Sequence, residues 1–254
     1  MTKVALVLIL TTVLSLPFMT LASNTAADLI LQGDACDNAF KPKQALKHYL
    51  PAERITPDDP ELLIKIARQY VYQMDSLPSK DAKVKSARRA LAYSERAMKL
   101  APNSSEPYLS VAICYGKLTP LVGTREKIQA SSKIKQAAEQ ALKLDPNNDY
   151  AWHLLGRWHQ ALAGVGGVTR SVAKMIYGGL PNASYNESAR CFERAKALNP
   201  NRLIHHIELG RTYAEMSRKT EAKRYITQGL AMVNSEFDDP GTKQRGRETL
   251  KKLH

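Results

Sequence analysis

Small and bulky apolar residues recur along the chain at fixed offsets. In A-W-H-L-L-G-R-W, residues 151–158, Gly156 stands four positions after Trp152 and directly after Leu155. The same small-residue slot is filled by Gly33, Ala67, Ala112 and Gly210, and four positions before each stands a larger residue: Leu29, Leu63, Tyr108 and His206. A second series of small residues, Ala52, Ala97, Ala141, Ala195 and Gly229, marks a second helix in every unit. Pro57, Pro102, Pro146 and Pro200 each follow a member of that series by five positions, and Asn234 takes this place in the last copy. Proline cannot continue a helix, so these positions predict where the second helices stop. The pattern predicts five helix pairs, packed closely where glycine or alanine lets two backbones approach.

A helix pair with a W-x-x-L-G core and a closing proline is the tetratricopeptide repeat, with a period of about 34 residues. The predicted fold is all-α: a right-handed superhelical solenoid of five helix pairs over residues 26–234. A basic capping helix or tail follows over 235–254, with its helix near Thr242 to His254. The prolines lie farther apart than the period, and the excess falls within repeats two to four, before the second helix. Lengthened helices or bulged loops are expected there, along one edge that commonly marks a binding face. Trp152 is expected in the core, His159 in a slot that Tyr70, Tyr115 and Tyr213 fill elsewhere, and His153 at least partly exposed.

The first 22 residues carry one lysine, an uncharged apolar run, and small residues at Ala22 and Ser23, the pattern of a secretory signal peptide. This predicts export, periplasmic or secreted, with cleavage after Ala22 or Ser23. The alternative is an uncleaved membrane anchor, because Val4 to Ala22 is about as long as the shortest bilayer span. Cys36, Cys114 and Cys191 are too few and too scattered for a disulfide framework and read as small hydrophobes.

Charge changes the picture more than composition does. A net charge of +13 predicts attraction to acidic surfaces, with K-D-A-K-V-K-S-A-R-R at 80–89 and R-G-R-E-T-L-K-K at 245–252 carrying much of it. Nucleic acid is the weaker expectation, since the basic residues are not interleaved with exposed aromatics. No nucleophile elbow, zinc-protease helix or phosphate loop occurs, so neither an enzyme, a cofactor nor a metal site is expected. The glycines of G-V-G-G at 164–167 read as a helix break.

The function read from these residues is non-catalytic binding. An acidic peptide or protein partner is expected on the concave face lined by first helices, with Lys65, Arg68, Gln69, His153, Arg157 and Arg211 as contact residues. The rival is a carrier of lipid or another apolar ligand, or a membrane-docking protein. Its support is Val168, Val172, Met175 and Ile176, which recur at helical spacing beside Arg170 and Lys174.

The run A-W-H-L-L-G-R-W, a long insertion, and then G-G-L-P-N-A-S-Y-N-E-S-A-R-C-F-E-R-A together resemble the regulator of microtubule dynamics protein family. The likeness extends upstream to E-L-L-I-K-I-A-R and covers most of residues 55 to 230. The resemblance implies a helical-repeat protein without enzymatic activity that associates with microtubules or organelle membranes. A chain exported by a signal peptide would not meet microtubules, so the resemblance carries over a fold and a binding role.

Overall fold

The computed structural model describes residues 25–177 and 179–253, with the backbone alone for Val168, Val172, Ala173, Ile176 and Tyr177. Residues 1–22, which the sequence predicts to be a signal peptide, lie outside the described residues. Five helix pairs follow one another. They are α1 (Ala26–Asn38) with α2 (Pro42–Ile55), and α3 (Pro60–Tyr72) with α4 (Lys80–Leu100). Next come α5 (Ser105–Leu118) with α6 (Thr124–Leu144), α7 (Asp149–Ala163) with α9 (Tyr185–Leu198), and α10 (Leu203–Glu215) with α11 (Lys219–Ala231). A short helix, α8 (Gly167–Tyr177), is inserted within the fourth pair, and α12 (Asp239–Lys251) follows the fifth. The described residues form no strand and no helix long and apolar enough to cross a membrane.

Local chemistry sets the helix starts. Thr25 and Asp28 form a reciprocal capping box at α1, and the Asp59 carboxylate accepts from the amides of Glu61 and Leu62 at α3. Ser79, Asn148 and Ser184 accept from the third following amide at the starts of α4, α7 and α9. Each side-chain cap satisfies donors that the first helical turn leaves open. Pro57, Pro102, Pro146 and Pro200 all lie one residue beyond the C-caps of α2, α4, α6 and α9.

The small residues stand where two helices touch. A Cβ on Gly33 would come within 2.3 Å of the Tyr49 ring on α2, and one on Gly156 within 2.8 Å of Phe192 on α9. A Cβ on Gly210 would lie 2.6 Å from Ile226 on α11, and one on Gly229 would lie 2.5 Å from Ile207 on α10. Ala52, Ala97, Ala141 and Ala195 are fully buried at the matching position of the other second helices.

The extra residues of the middle repeats take two forms. In repeats two and three the second helix is lengthened to 21 residues, entered through a 3-10 turn at Gln73–Ser76 or Thr119–Leu121. In repeat four the extra residues form α8. Helix α12 starts three residues before the expected Thr242, and packs on α10 and α11 with Gly246 against Ile207 and Ile226.

Both tryptophans of residues 151–158 pack inward, to different depths. Trp152, expected in the core, is half-buried, with its indole N–H donating to the Pro146 carbonyl at 3.0 Å. Trp158 is the buried one, donating to the Ser131 carbonyl on α6 at 3.0 Å. His159 is half-buried, edge-on to the Trp158 ring.

Candidate functional site

The first helices α1, α3, α5, α7 and α10 line one face of the stack, and most of the predicted contact residues on them already have partners. Lys65 donates to Asp34 at 2.6 Å, and Arg68 pairs with Asp37, so the second repeat is tied to the first by two ion pairs. Gln69 is not a surface contact: it is fully buried, and among the described residues neither its amide oxygen nor its amide nitrogen meets a hydrogen-bond partner.

His153 also departs from expectation, being 2% exposed. Helix α10 lays His205 against it, with the two Nδ1 atoms 3.1 Å apart, and the Phe192 ring of α9 meets it edge-on. His205 Nε2 lies 2.7 Å from Asp149, which also accepts from Arg202 at 2.5 Å. A carboxylate accepts, so His205 carries its proton on Nε2, and its bare Nδ1 must accept from the Nδ1–H of His153. The chain Arg202, Asp149, His205, His153 thus fixes both tautomers. Burial holds the His153 imidazole well below its ordinary pKa, with the neighbouring His205 adding to the shift. His205 is lowered by burial too, against the opposing pull of Asp149.

Arg157 and Arg211 converge with a third guanidinium that the sequence reading missed. Arg157 donates to Glu208 at 2.7 Å, Arg211 at 2.6 Å, and Arg245 from α12 at 3.2 Å. Glu208 is fully buried. Burial by itself would raise its pKa, yet the three guanidiniums hold it at about 2. Three positive charges on one negative leave a cationic excess, and the side chains of Arg157, Arg211 and Arg245 remain 42%, 26% and 39% exposed. Arginine has five donors. Glu208 engages few of them, and the Nε of Arg211 has no partner among the described residues.

The linker between α11 and α12 crosses the same face. Glu236 accepts from Arg202 at 2.6 Å, Phe237 stacks on Tyr72 with ring centroids 4.3 Å apart, and Asp238 accepts from Lys117 at 2.7 Å. Asp239 then accepts from the amides of Ser235 and Glu236 at 2.7 and 2.8 Å, which turns the linker into α12. Burial and the surrounding carboxylates push the Tyr72 phenol up to about 12. The destination of this linker had no signal in the helical periodicity.

Of the residues predicted for lipid contact, Met175 is 81% exposed, whereas the side chains of Val168, Val172 and Ile176 lie outside the described residues. Arg170 ties α8 down by donating to the carbonyls of Leu162 and Val165 at the end of α7. Among the described residues no cluster of three His, Cys, Asp or Glu side chains could hold a metal ion. Burial pushes the thiols of Cys114 and Cys191 up to about 12 and about 11, so neither is a ready nucleophile.

A family model described as "Regulator of microtubule dynamics protein 1-3" matches residues 26–254. The chain belongs to the regulator of microtubule dynamics protein family. It is 29% identical over 172 residues to regulator of microtubule dynamics protein 1 of Mus musculus, covering 66% of this chain and 56% of that protein. The Bos taurus counterpart is 30% identical over 173 residues, covering 67% and 54%. The chain thus spans about half the length of these relatives. Among solved structures, a thermophilic TPR protein from Thermus thermophilus superposes with a TM-score of 0.67 at 16% identity, covering 89% of this chain and all of that one. At that identity the likeness shows the fold: an all-α tetratricopeptide solenoid.

Proposed function

We propose that this family member is a non-catalytic adaptor that holds an acidic segment of a protein partner on its first-helix face. The observation that carries the reading is the guanidinium cluster around Glu208. One buried carboxylate orients Arg157, Arg211 and Arg245, whose side chains stay partly exposed and carry an excess of positive charge. Guanidinium forks suit carboxylates, and pre-orientation lowers the entropy lost on binding. Membership of a family named for regulating microtubule dynamics puts a protein partner first. The partner here is defined by its charge, because the N-terminal segment reads as an export signal and directs the mature chain, from about Ser23, outside the cytoplasm.

The second reading, a lipid or apolar-ligand carrier or membrane-docking protein, is favoured by one observation: Met175 stands exposed on α8 beside the exposed Lys174. Affinity capture from the native compartment, with proteins and lipids both identified, separates the two. The adaptor reading expects Arg157→Ala with Arg211→Ala to lose a protein partner and Met175→Asp to keep it. Loss of a captured lipid with Met175→Asp, and an unchanged protein set with the arginine pair, replaces it with the carrier reading.

A further inference from the structure

The linker Ser235–Asp239, S-E-F-D-D, is an acidic segment lying on the cationic face for which the adaptor reading proposes an acidic partner. Three consecutive side chains reach three different parts of the solenoid. Glu236 meets Arg202 at the start of α10, Phe237 meets Tyr72 at the end of α3 and Phe40 in the α1–α2 turn, and Asp238 meets Lys117 in α5. The Phe237 ring lies almost parallel to that of Tyr72, at 11°, and edge-on to Phe40, at 68°. The segment therefore spans from the fifth helix pair back to the first three.

These ties are made by side chains. The backbone hydrogen bonds of residues 235–239 run to their own neighbours, as from the Asp239 amide to the Glu236 carbonyl at 3.2 Å. Both ion pairs are reachable by solvent, with Glu236, Asp238, Arg202 and Lys117 each between 25% and 37% exposed. Partly exposed pairs of this kind are weak and exchange readily. Phe237 also leaves room beside it. An open hollow of about 370 Å3 continues past its ring, lined by Phe40, Lys41, Lys43, Gln44, Tyr72 and Asp75, so that its two exposed lysines outnumber its one carboxylate.

We infer that Ser235–Asp239 is a built-in, displaceable occupant of the first-helix face. The surface beneath it, formed by Phe40, Tyr72, Lys117 and Arg202, takes a partner segment of the same chemistry: an aromatic residue flanked by carboxylates. This rests on the adaptor reading and names the partner's pattern. A partner that carries further carboxylates beyond its aromatic residue reaches Lys41 and Lys43, which the internal segment leaves unused. That gives an external segment a way to overcome the high effective concentration of a tethered one.

The test uses the full chain and a labelled synthetic peptide, Asn-Ser-Glu-Phe-Asp-Asp-Pro, which copies residues 234–240. Fluorescence anisotropy compares wild type with Phe237→Ala plus Asp238→Ala, and with the near-isosteric Glu236→Gln plus Asp238→Asn, which removes both ion-pair charges while keeping the shape of the segment. The inference expects at least tenfold tighter binding to both opened forms than to wild type. It expects that gain to vanish when Tyr72→Ala and Lys117→Glu are added, or when the peptide's phenylalanine is replaced by alanine. Opened forms that keep wild-type helicity and bind the peptide no better than wild type overturn it, and leave the linker as a structural tie. If the alanine form unfolds, the Glu236→Gln plus Asp238→Asn form alone decides. Arg157→Ala with Arg211→Ala bears separately on the adaptor reading, because it alters the guanidinium cluster while leaving the linker contacts in place.

Discussion

Arg157 on α7 donates to the buried carboxylate of Glu208 on α10 at 2.7 Å, joining the fourth helix pair to the fifth. The contact holds the two pairs together, and the adaptor reading gives its arginine a second role. Glu208 costs free energy to bury, and only the arrival of three guanidiniums offsets it. The same geometry holds the guanidiniums in place with their side chains partly exposed.

Removing that carboxylate charge should therefore destabilise the protein. Glu208→Gln is expected to cost about 1.5–3 kcal/mol, the scale for hydrogen bonds to charged groups, because the guanidiniums left behind are partly exposed. Glu208 titrates at about 2 in the folded chain, below its ordinary 4.5. Its contribution is fully present above about 4.5 and is lost as pH falls toward 2. Urea unfolding across that range should show a steeper acid loss for wild type than for the glutamine variant; equal slopes contradict the arrangement.

Gly156→Leu should lower stability by about 1–3 kcal/mol or more, since even a Cβ there comes within 2.8 Å of Phe192. Gly156→Ala is expected to fall between the two. Thermal unfolding checks the order, and an unchanged melting temperature for the leucine variant would mean that α7 and α9 do not cross at this residue.

The two buried imidazoles predict a second, milder pH dependence. His153 and His205 have folded pKa values below the unfolded 6.5, so the unfolded chain takes up protons first as pH falls. Stability should be full above about 6.5 and decline below it, well before Glu208 titrates. Replacing His153 with glutamine should flatten the slope between about pH 6.5 and 5, whatever it does to stability at about pH 8. An unaltered slope would mean that His153 does not titrate on unfolding in this range.

Among the cysteines, Cys36 is half-buried whereas Cys114 is buried with its thiol pushed up by burial. A thiol-specific reagent at about pH 8 should label Cys36 first in the native protein. Faster labelling of Cys114 would show that α5 opens locally.

What was legible in the sequence was what depends on one position at a time. A residue with no Cβ at Gly33, Gly156 and Gly210 marks a helix crossing, and Pro57 through Pro200 mark helix ends, because each acts through its own backbone. The surface was less legible because it is made by distant segments. His153 is buried by His205, fifty-two residues later, and Gln69 is enclosed although its position resembles an exposed one. Trp158 is more deeply buried than Trp152, and its indole N–H finds a partner on Ser131 of α6, a contact that only the fold brings about. Arg157 and Arg211 are legible as expected contact residues, yet their shared carboxylate and Arg245 come together only because α10 packs on α7 and α12 packs on α10. Linker contacts have no period at all, so Phe237 on Tyr72 could be read only from the folded chain.

The claim that charge holds the partner is tested most directly by salt. Binding of an acidic peptide probe to the full chain should fall at least tenfold between about 50 mM and 500 mM sodium chloride, as the Debye length shrinks. Arg157→Ala with Arg211→Ala should weaken binding at low salt and flatten its salt dependence. Binding that holds steady or strengthens with salt, and ignores the arginine pair, would contradict the account, because hydrophobic burial rather than charge behaves that way.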